Sequence, residues 1–206
     1  MIGLPLLRSP QQLRSRIKSW RAFGETVALV TLSGPPHEGH ADLVRAAQAE
    51  ADRVLAALLP PETSGEPADA PSPHEPAATR LMDEAGADAL YLPSRAVFRP
   101  LGAGAVRVHV PGLSEVMDGE DAPEAFDGFA ADMLRLLAQA QPDVAVFCAL
   151  AWQRRLVAER LAKDFGLCDR VLSAERERDD EGVPNCVAEP AARPAAARLW
   201  RELLRA

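Results

Sequence analysis

Between Thr26 and Leu32 the chain reads Thr-Val-Ala-Leu-Val-Thr-Leu, apolar almost without a break and the length of one β-strand. A strand with one wet face alternates polar and apolar residues. An unbroken apolar run instead suits a strand covered on both faces of a parallel sheet. The run stops at Ser33-Gly34-Pro35-Pro36, a turn signal. Leu43, Ala46, Ala47 and Ala51 then recur at helical spacing within a helix expected from Glu38 to Asp52. Strand, tight turn and helix open a βαβ unit, so the chain is expected to be α/β.

The remaining segments repeat that alternation. Leu13, Ile17 and Trp20 predict a helix over 10–21, before the first buried strand. Further strands are expected at 54–59, 87–92, 106–110, 143–148 and 170–174. Helices are expected at 77–85, 122–140, 152–165 and 191–205, with Gly166 ending the third of these. Residues 60–76, rich in Pro, Glu, Ala and Ser, carry no periodicity and read as a flexible surface loop. The pattern predicts a Rossmann-like three-layer domain with a mostly parallel sheet and Val27–Leu32 at its centre.

Charge and cysteine usage exclude several roles. With 23 basic against 30 acidic residues the formal net charge is −7, the wrong sign for nucleic acid or an anionic membrane. Cys148, Cys168 and Cys186 have neither metal-ligand spacing nor an even count for disulfides. Cys168 reads as a small buried thiol. No apolar run reaches membrane-spanning length, and the apolar N-terminus lacks a basic flank and a cleavage site. A soluble, cytoplasmic protein without membrane insertion is expected.

The turn after the first buried strand carries chemistry. His37-Glu38-Gly39-His40 is an H-x-G-H signature at a strand–helix junction. The free N–H groups and positive dipole end of a helix attract phosphate. Gly39 lets the backbone approach closely, and two imidazoles on one turn can donate to phosphate oxygens as charge develops. The alternative is that both histidines only cap the helix.

Val27 to His40 resembles the pantothenate synthetase segment V-A-L-V-P-T-M-G-x-L-H-x-G-H, within the superfamily of nucleotidyltransferases with HIGH-type signatures. Other landmarks follow in order to about residue 188. Leu6-Leu7-Arg8 with the helix from Leu13 to Trp20 resembles the family's N-terminal segment, and Ala51-Asp52-Arg53-Val54 its A-D-x-V step. Leu92-Pro93-Ser94 resembles A-P-S, Val110-Pro111-Gly112-Leu113-Ser114 resembles V-P-G-L-S, and Phe126-Asp127-Gly128 resembles F-D-G. Gln141-Pro142-Asp143 with Phe147 resembles Q-P-D-x-x-x-F.

The resemblance implies a nucleotide-binding domain over 1–188 and a helical tail over 189–206 in place of the family's lid domain. It also implies ATP-dependent joining of pantoate to β-alanine through an acyl-adenylate, with magnesium offsetting phosphate charge. His37 and His40 inherit the phosphate role as vestigial catalytic candidates. Gly34, His37, Gly39 and His40 form the implied nucleotide contact, and Gln153 and Arg154 the implied substrate contact. No metal ligand is assigned.

The chain departs from the family where the chemistry lies. The family's F-G-E-K-D-x-Q-Q block supplies a phosphate-binding lysine, ribose contacts and a pantoate-binding glutamine; here it reads Phe147-Cys148-Ala149-Leu150-Ala151-Trp152-Gln153-Arg154. S-S-R-N has become Cys186-Val187-Ala188-Glu189, and V-N-P-x-Q-F has become Leu59-Pro60-Pro61-Glu62-Thr63-Ser64. In R-P-G-H-F the arginine and histidine align with Ala122 and Ala125. Losing one electrostatic donor typically costs ~10²–10³ in rate, so several losses predict a pseudoenzyme, a binding or scaffold subunit; for its cofactors two expectations stand open, ATP with magnesium or neither. The competing expectations are an active adenylate-forming ligase or nucleotidyltransferase for another carboxylic acid, gripped by Arg154, and a pantoate–β-alanine ligase completed by another chain. A homodimer or a subunit of a hetero-complex is expected, with strand ends near Val30, Phe147 and Val171 uncovered by loss of the lid.

Overall fold

The computed structural model describes residues 3–62 and 65–175, and beyond them 180, 183, 184, 194, 195, 198 and 202. Six strands form one sheet: β1 (Leu6–Leu7), β2 (Val27–Leu32), β3 (Arg53–Leu58), β4 (Ala89–Tyr91), β5 (Val144–Cys148) and β6 (Arg170–Ala174). Their order is β1-β4-β3-β2-β5-β6, and every pairing is parallel. The expected α/β fold is therefore present, with β2 in the middle between β3 and β5.

The apolar run of β2 behaves as its composition demands. Side chains alternate across a strand, and here both faces are covered. Val27 and Leu29 pack in one core with α1 (Pro10–Arg21), α6 (Pro123–Ala140) and α7 (Trp152–Phe165). Ala28, Val30 and Leu32 pack in the other with α2 (Glu38–Gln48) and α3 (Glu75–Ala85). Helices on both faces of one sheet give the three layers.

Aspartates fix the entry of the central strands. Asp143 accepts from the Val27 amide at 2.7 Å, and Asp88 from that of Val54 at 2.8 Å. Asp52 accepts from the amide and hydroxyl of Thr26, which hold its carboxyl below the usual range. Each bond ties the start of one strand to the loop before its neighbour. At the far end of α7, Gly166 adopts φ 61° and closes the helix.

Several expectations need correction. Residues 106–110 form no strand and no ladder among the described residues. The sheet edge beside β4 is taken instead by Leu6 and Leu7, where Leu90 donates to Pro5 and Leu92 to Leu7. Three short helices were not expected, α4 (Arg95–Phe98), α5 (Asp118–Asp121) and a 3₁₀ turn at Ala149–Ala151 before α7. Among its described residues the loop before α3 has no regular structure until Glu75, but it is tethered. Arg95 donates to the Glu66 carbonyl, the Ala96 amide to that of Ala68, and Arg99 to those of Pro60 and Pro61. Val30 and Phe147 are buried and Val171 is half-buried against the core, so those strand ends are not uncovered. The expected helix over 191–205 and the segment from Cys186 to Glu189 lie outside the described residues, apart from Pro194, Ala195, Arg198 and Glu202. Among the described residues no helix is long and apolar enough to cross a membrane.

Candidate functional site

Sheet order reverses at β2: the chain leaves it through α2 to β3 on one side, while β5 lies on the other. Open α/β sheets bind ligands in the crevice beyond the C-terminal strand ends at such a point. A cavity of about 360 Å³ lies there, walled by residues from the ends of β2, β3 and β5, from the loop after β3, and from α6 and α7.

On the β2 side Gly34 lines the cavity with φ 68°, a conformation that a side chain would strain. His37 is the N-cap of α2 and His40 its third residue. The His37 amide donates to His40 Nδ1 at 3.3 Å, the His40 amide donates to the His37 carbonyl at 2.8 Å, and the rings stack with centroids 3.9 Å apart. This is a capping box built from imidazoles. With Nδ1 accepting, the neutral ring of His40 carries its proton on Nε2. His40 is only 3% exposed and forms part of the cavity wall. His37 is half-buried and Gly39 buried, and neither lines the cavity. Both histidines thus belong to the cap, and of the two only His40 also lines the cavity.

On the β5 side the strand ends at Cys148, whose sulfur accepts from the Leu150 amide at 3.3 Å as the chain turns into α7. Leu150 points its apolar side chain to solvent at 54% exposure. Gln153 was expected at the substrate, but it is 5% exposed and committed elsewhere. It donates to the carbonyls of Leu113 and Val116 at 2.8 and 2.6 Å and accepts from the Asp118 amide at 3.2 Å. Arg154 does face the cavity, its guanidinium 5.5 Å from the centre of the Phe129 ring. It makes no ion pair or hydrogen bond with the described residues.

Sequence reasoning missed the opposite wall. Arg99, 8% exposed, donates to both oxygens of Asp132 and to the carbonyls of Pro60 and Pro61. Glu62 follows directly and lies over Gly128 of α6, its Oε2 3.0 Å from where a Cβ there would sit. Leu59 to Ser64 was matched to a family pattern by position, and nothing in it signals which side chain turns inward. The acidic and basic residues of the wall are Arg99, Arg154, Glu62 and Asp132, two of each kind. Ala125 completes the wall at the position where the related pattern carries histidine. No group of three His, Cys, Asp or Glu side chains among the described residues could hold a metal ion.

Comparison with known proteins agrees with this architecture. The sequence profile of the family described as Pantoate-beta-alanine ligase matches residues 5–206. A pantothenate synthetase of Stenotrophomonas maltophilia is 36% identical over 200 residues, spanning 93% of this chain and 72% of its own length. One from Hyphomonas neptunium is 32% identical over 208 residues, spanning 98% and 71%. The solved pantothenate synthetase of Thermus thermophilus matches with a TM-score of 0.80 and 29% identity, over 98% of this chain and 74% of that structure. The pantoate-beta-alanine ligase of Francisella tularensis, solved with beta-gamma ATP and beta-alanine, matches with a TM-score of 0.82 over 99% and 80% of the two chains. At 21% identity that match is a likeness of fold.

Proposed function

The chain belongs to the pantoate-beta-alanine ligase family, and from that premise we propose that its cleft binds a small molecule but has lost ATP-dependent ligation. The observation that carries this reading is the charge of the cavity wall. A triphosphate needs an excess of positive charge around it. Here the two arginines are offset by two carboxylates, and Arg99 is wholly engaged by Asp132 and backbone carbonyls. Leu150 stands where the family pattern places its phosphate-binding lysine, and it can neither donate nor offset charge. Glu62 adds a repulsive charge.

The helix dipole of α2 and the Nε2–H of His40 remain favourable to an anion, but they are weak without a neighbouring cation. The residues present therefore do not fit ATP, and magnesium, which such sites hold through the phosphates, has nothing to bridge. On this reading the protein acts as a binding or scaffold subunit.

One feature favours a second reading. Arg154, without an ion pair among the described residues and facing the cavity, could hold the carboxylate of an acid other than pantoate. The enzyme would then be an adenylate-forming ligase that still places nucleotide near His40.

Calorimetry with ATP, with and without magnesium, separates the two readings. The first expects no saturable heat at millimolar nucleotide and no pantothenate from pantoate, β-alanine and ATP. Turnover that vanishes in His40→Ala would overturn it. ATP–pyrophosphate exchange dependent on an added acid would establish the second.

A further inference from the structure

Two successive prolines, Pro60 and Pro61, begin two residues after β3 ends. Neither has a backbone N–H, so neither can donate to a neighbouring strand or turn, and their carbonyls are the only backbone handles left. Arg99 takes both. Its Nη1 donates to the Pro60 and Pro61 carbonyls at 3.1 Å each, and its Nη2 to the Pro60 carbonyl at 3.1 Å. The rest of the fork is spent on α6, where Nε donates to Asp132 Oδ1 at 3.0 Å and Nη2 to Oδ2.

We propose that Arg99 is the positioning residue of the cleft: by fixing Pro60 and Pro61 against α6 it sets the width of the cavity, and so the size of molecule that enters. The anchor on α6 is held independently of the loop. Arg135 donates to Asp132 Oδ1 at 2.9 Å, and the guanidiniums of Arg99 and Arg135 lie over the buried Phe98 ring, 5.3 and 5.2 Å from its centre. Arg99 is also the C-cap of α4. That helix grips the same loop further along, where Arg95 donates to the Glu66 carbonyl and the Ala96 amide to that of Ala68. Pro60, Pro61, Glu62, Arg99 and Asp132 all line the cavity, so a shift of the loop is a change in its width.

The grip depends on the shape of the guanidinium more than on its charge. Its N–H groups lie in one plane as a rigid fork, which spans a carboxylate and two carbonyls at once. A lysine here would keep the charge but end in a single nitrogen, and could not hold all three. A buried ion pair adds little stability over apolar side chains of similar volume. What apolar side chains cannot replace is the hold on the two carbonyls. Placement of the loop and stability of the fold are therefore separable, and neither depends on whether nucleotide binds.

Cys148 supplies the readout, because it lines the same cavity and is 6% exposed. Its alkylation in the full chain is followed by mass spectrometry of the peptide that carries it, with iodoacetamide as the small reagent and N-phenylmaleimide as the bulky one. Each rate is divided by that of glutathione with the same reagent, which removes their intrinsic difference in reactivity. In the wild type the bulky reagent is disfavoured by at least about tenfold, the discrimination a shaped pocket gives against excess volume. Arg99→Lys, and the double variant Arg99→Met with Asp132→Leu, reduce that discrimination to within about twofold, while the urea midpoint of the double variant stays near that of the wild type. Amide exchange at Leu59 and Glu62 quickens in both, and exchange at Val30 in β2 does not. A wild type that does not discriminate, or variants that discriminate as it does, overturn the proposal. So does lost discrimination with an equal quickening at Val30, which would mean that Arg99 holds the fold together instead of placing the wall.

Discussion

Gln153 commits both amide hydrogens and one carbonyl lone pair to backbone groups of residues 113–118. Truncation would take a partner from the Leu113 carbonyl and the Asp118 amide and leave the Val116 carbonyl only the Gly119 amide, in a part-buried setting, which costs about 1–3 kcal/mol for an unsatisfied group. Gln153→Ala is therefore expected to lower the urea midpoint by that order with the m-value unchanged, and to leave cleft binding within about twofold, well under the tenfold step of ~1.4 kcal/mol. Undiminished stability with binding abolished would make Gln153 a ligand contact instead. Arg154, one residue further, is rotated about 100° around the helix and so faces the cavity. The family pattern identifies both positions but does not encode that rotation, which depends on how α7 seats against the sheet. His40 was legible because a signature after a buried strand fixes both its element and its place in the first turn. Arg99, Asp132 and Glu62 were not, since they meet only through a loop and a helix whose mutual placement no local pattern records.

The long elements were legible for a simple reason: they bury continuous faces. β2 and β5 read as unbroken apolar runs and α7 as a helix closed by Gly166, and all three lie where the sequence places them. β1 is two residues long and carries no periodicity, so its pairing with β4 depends on long-range context. Residues 106–110 have strand composition but join no ladder among the described residues, the edge beside β4 being taken by β1. Besides its ladder with β4, β1 is followed by an ion pair in which Arg8 donates through two nitrogens to the two carboxylate oxygens of Glu75 in the first turn of α3. Hydrogen bonding to Arg8 holds the Glu75 carboxyl below its ordinary value of 4.5. A carboxyl depressed in the folded state stabilises the fold fully above its unfolded pKa, and that contribution is lost as pH falls through the folded value. Between pH 7 and pH 3.5 the wild-type chain should lose more stability than Arg8→Ala, whose Glu75 no longer has the pair to lose. Parallel urea midpoints for the two proteins across that range would show that the pair does not secure the edge.

At the scale of the molecule, one group of exposed apolar side chains lies around Gln153, on the loop it anchors and at the entry to its helix. Val116 and Met117 are exposed on the loop that Gln153 anchors, Met117 at 61%, and Leu150 and Trp152 at the start of α7 at 54% and 49%. Large apolar side chains grouped this way on a soluble protein mark an interaction surface more often than a bare face. Tryptophan and methionine are also enriched at the centres of interfaces. Leu150, at the position where the family pattern carries its lysine, belongs to this exposed group. We therefore expect a homodimer, or a subunit bound to another protein through this face. Light scattering over a dilution series should give twice the mass of the 22.1 kDa chain at high concentration, or a stable hetero-complex should be recovered from native extract. Trp152→Glu should shift dissociation to at least about tenfold higher concentration, since a tryptophan in an interface core contributes ~2 kcal/mol or more, while far-ultraviolet circular dichroism stays unchanged. A species that remains monomeric at every concentration, brings down no partner and is indifferent to Trp152→Glu would leave this surface without a function in assembly.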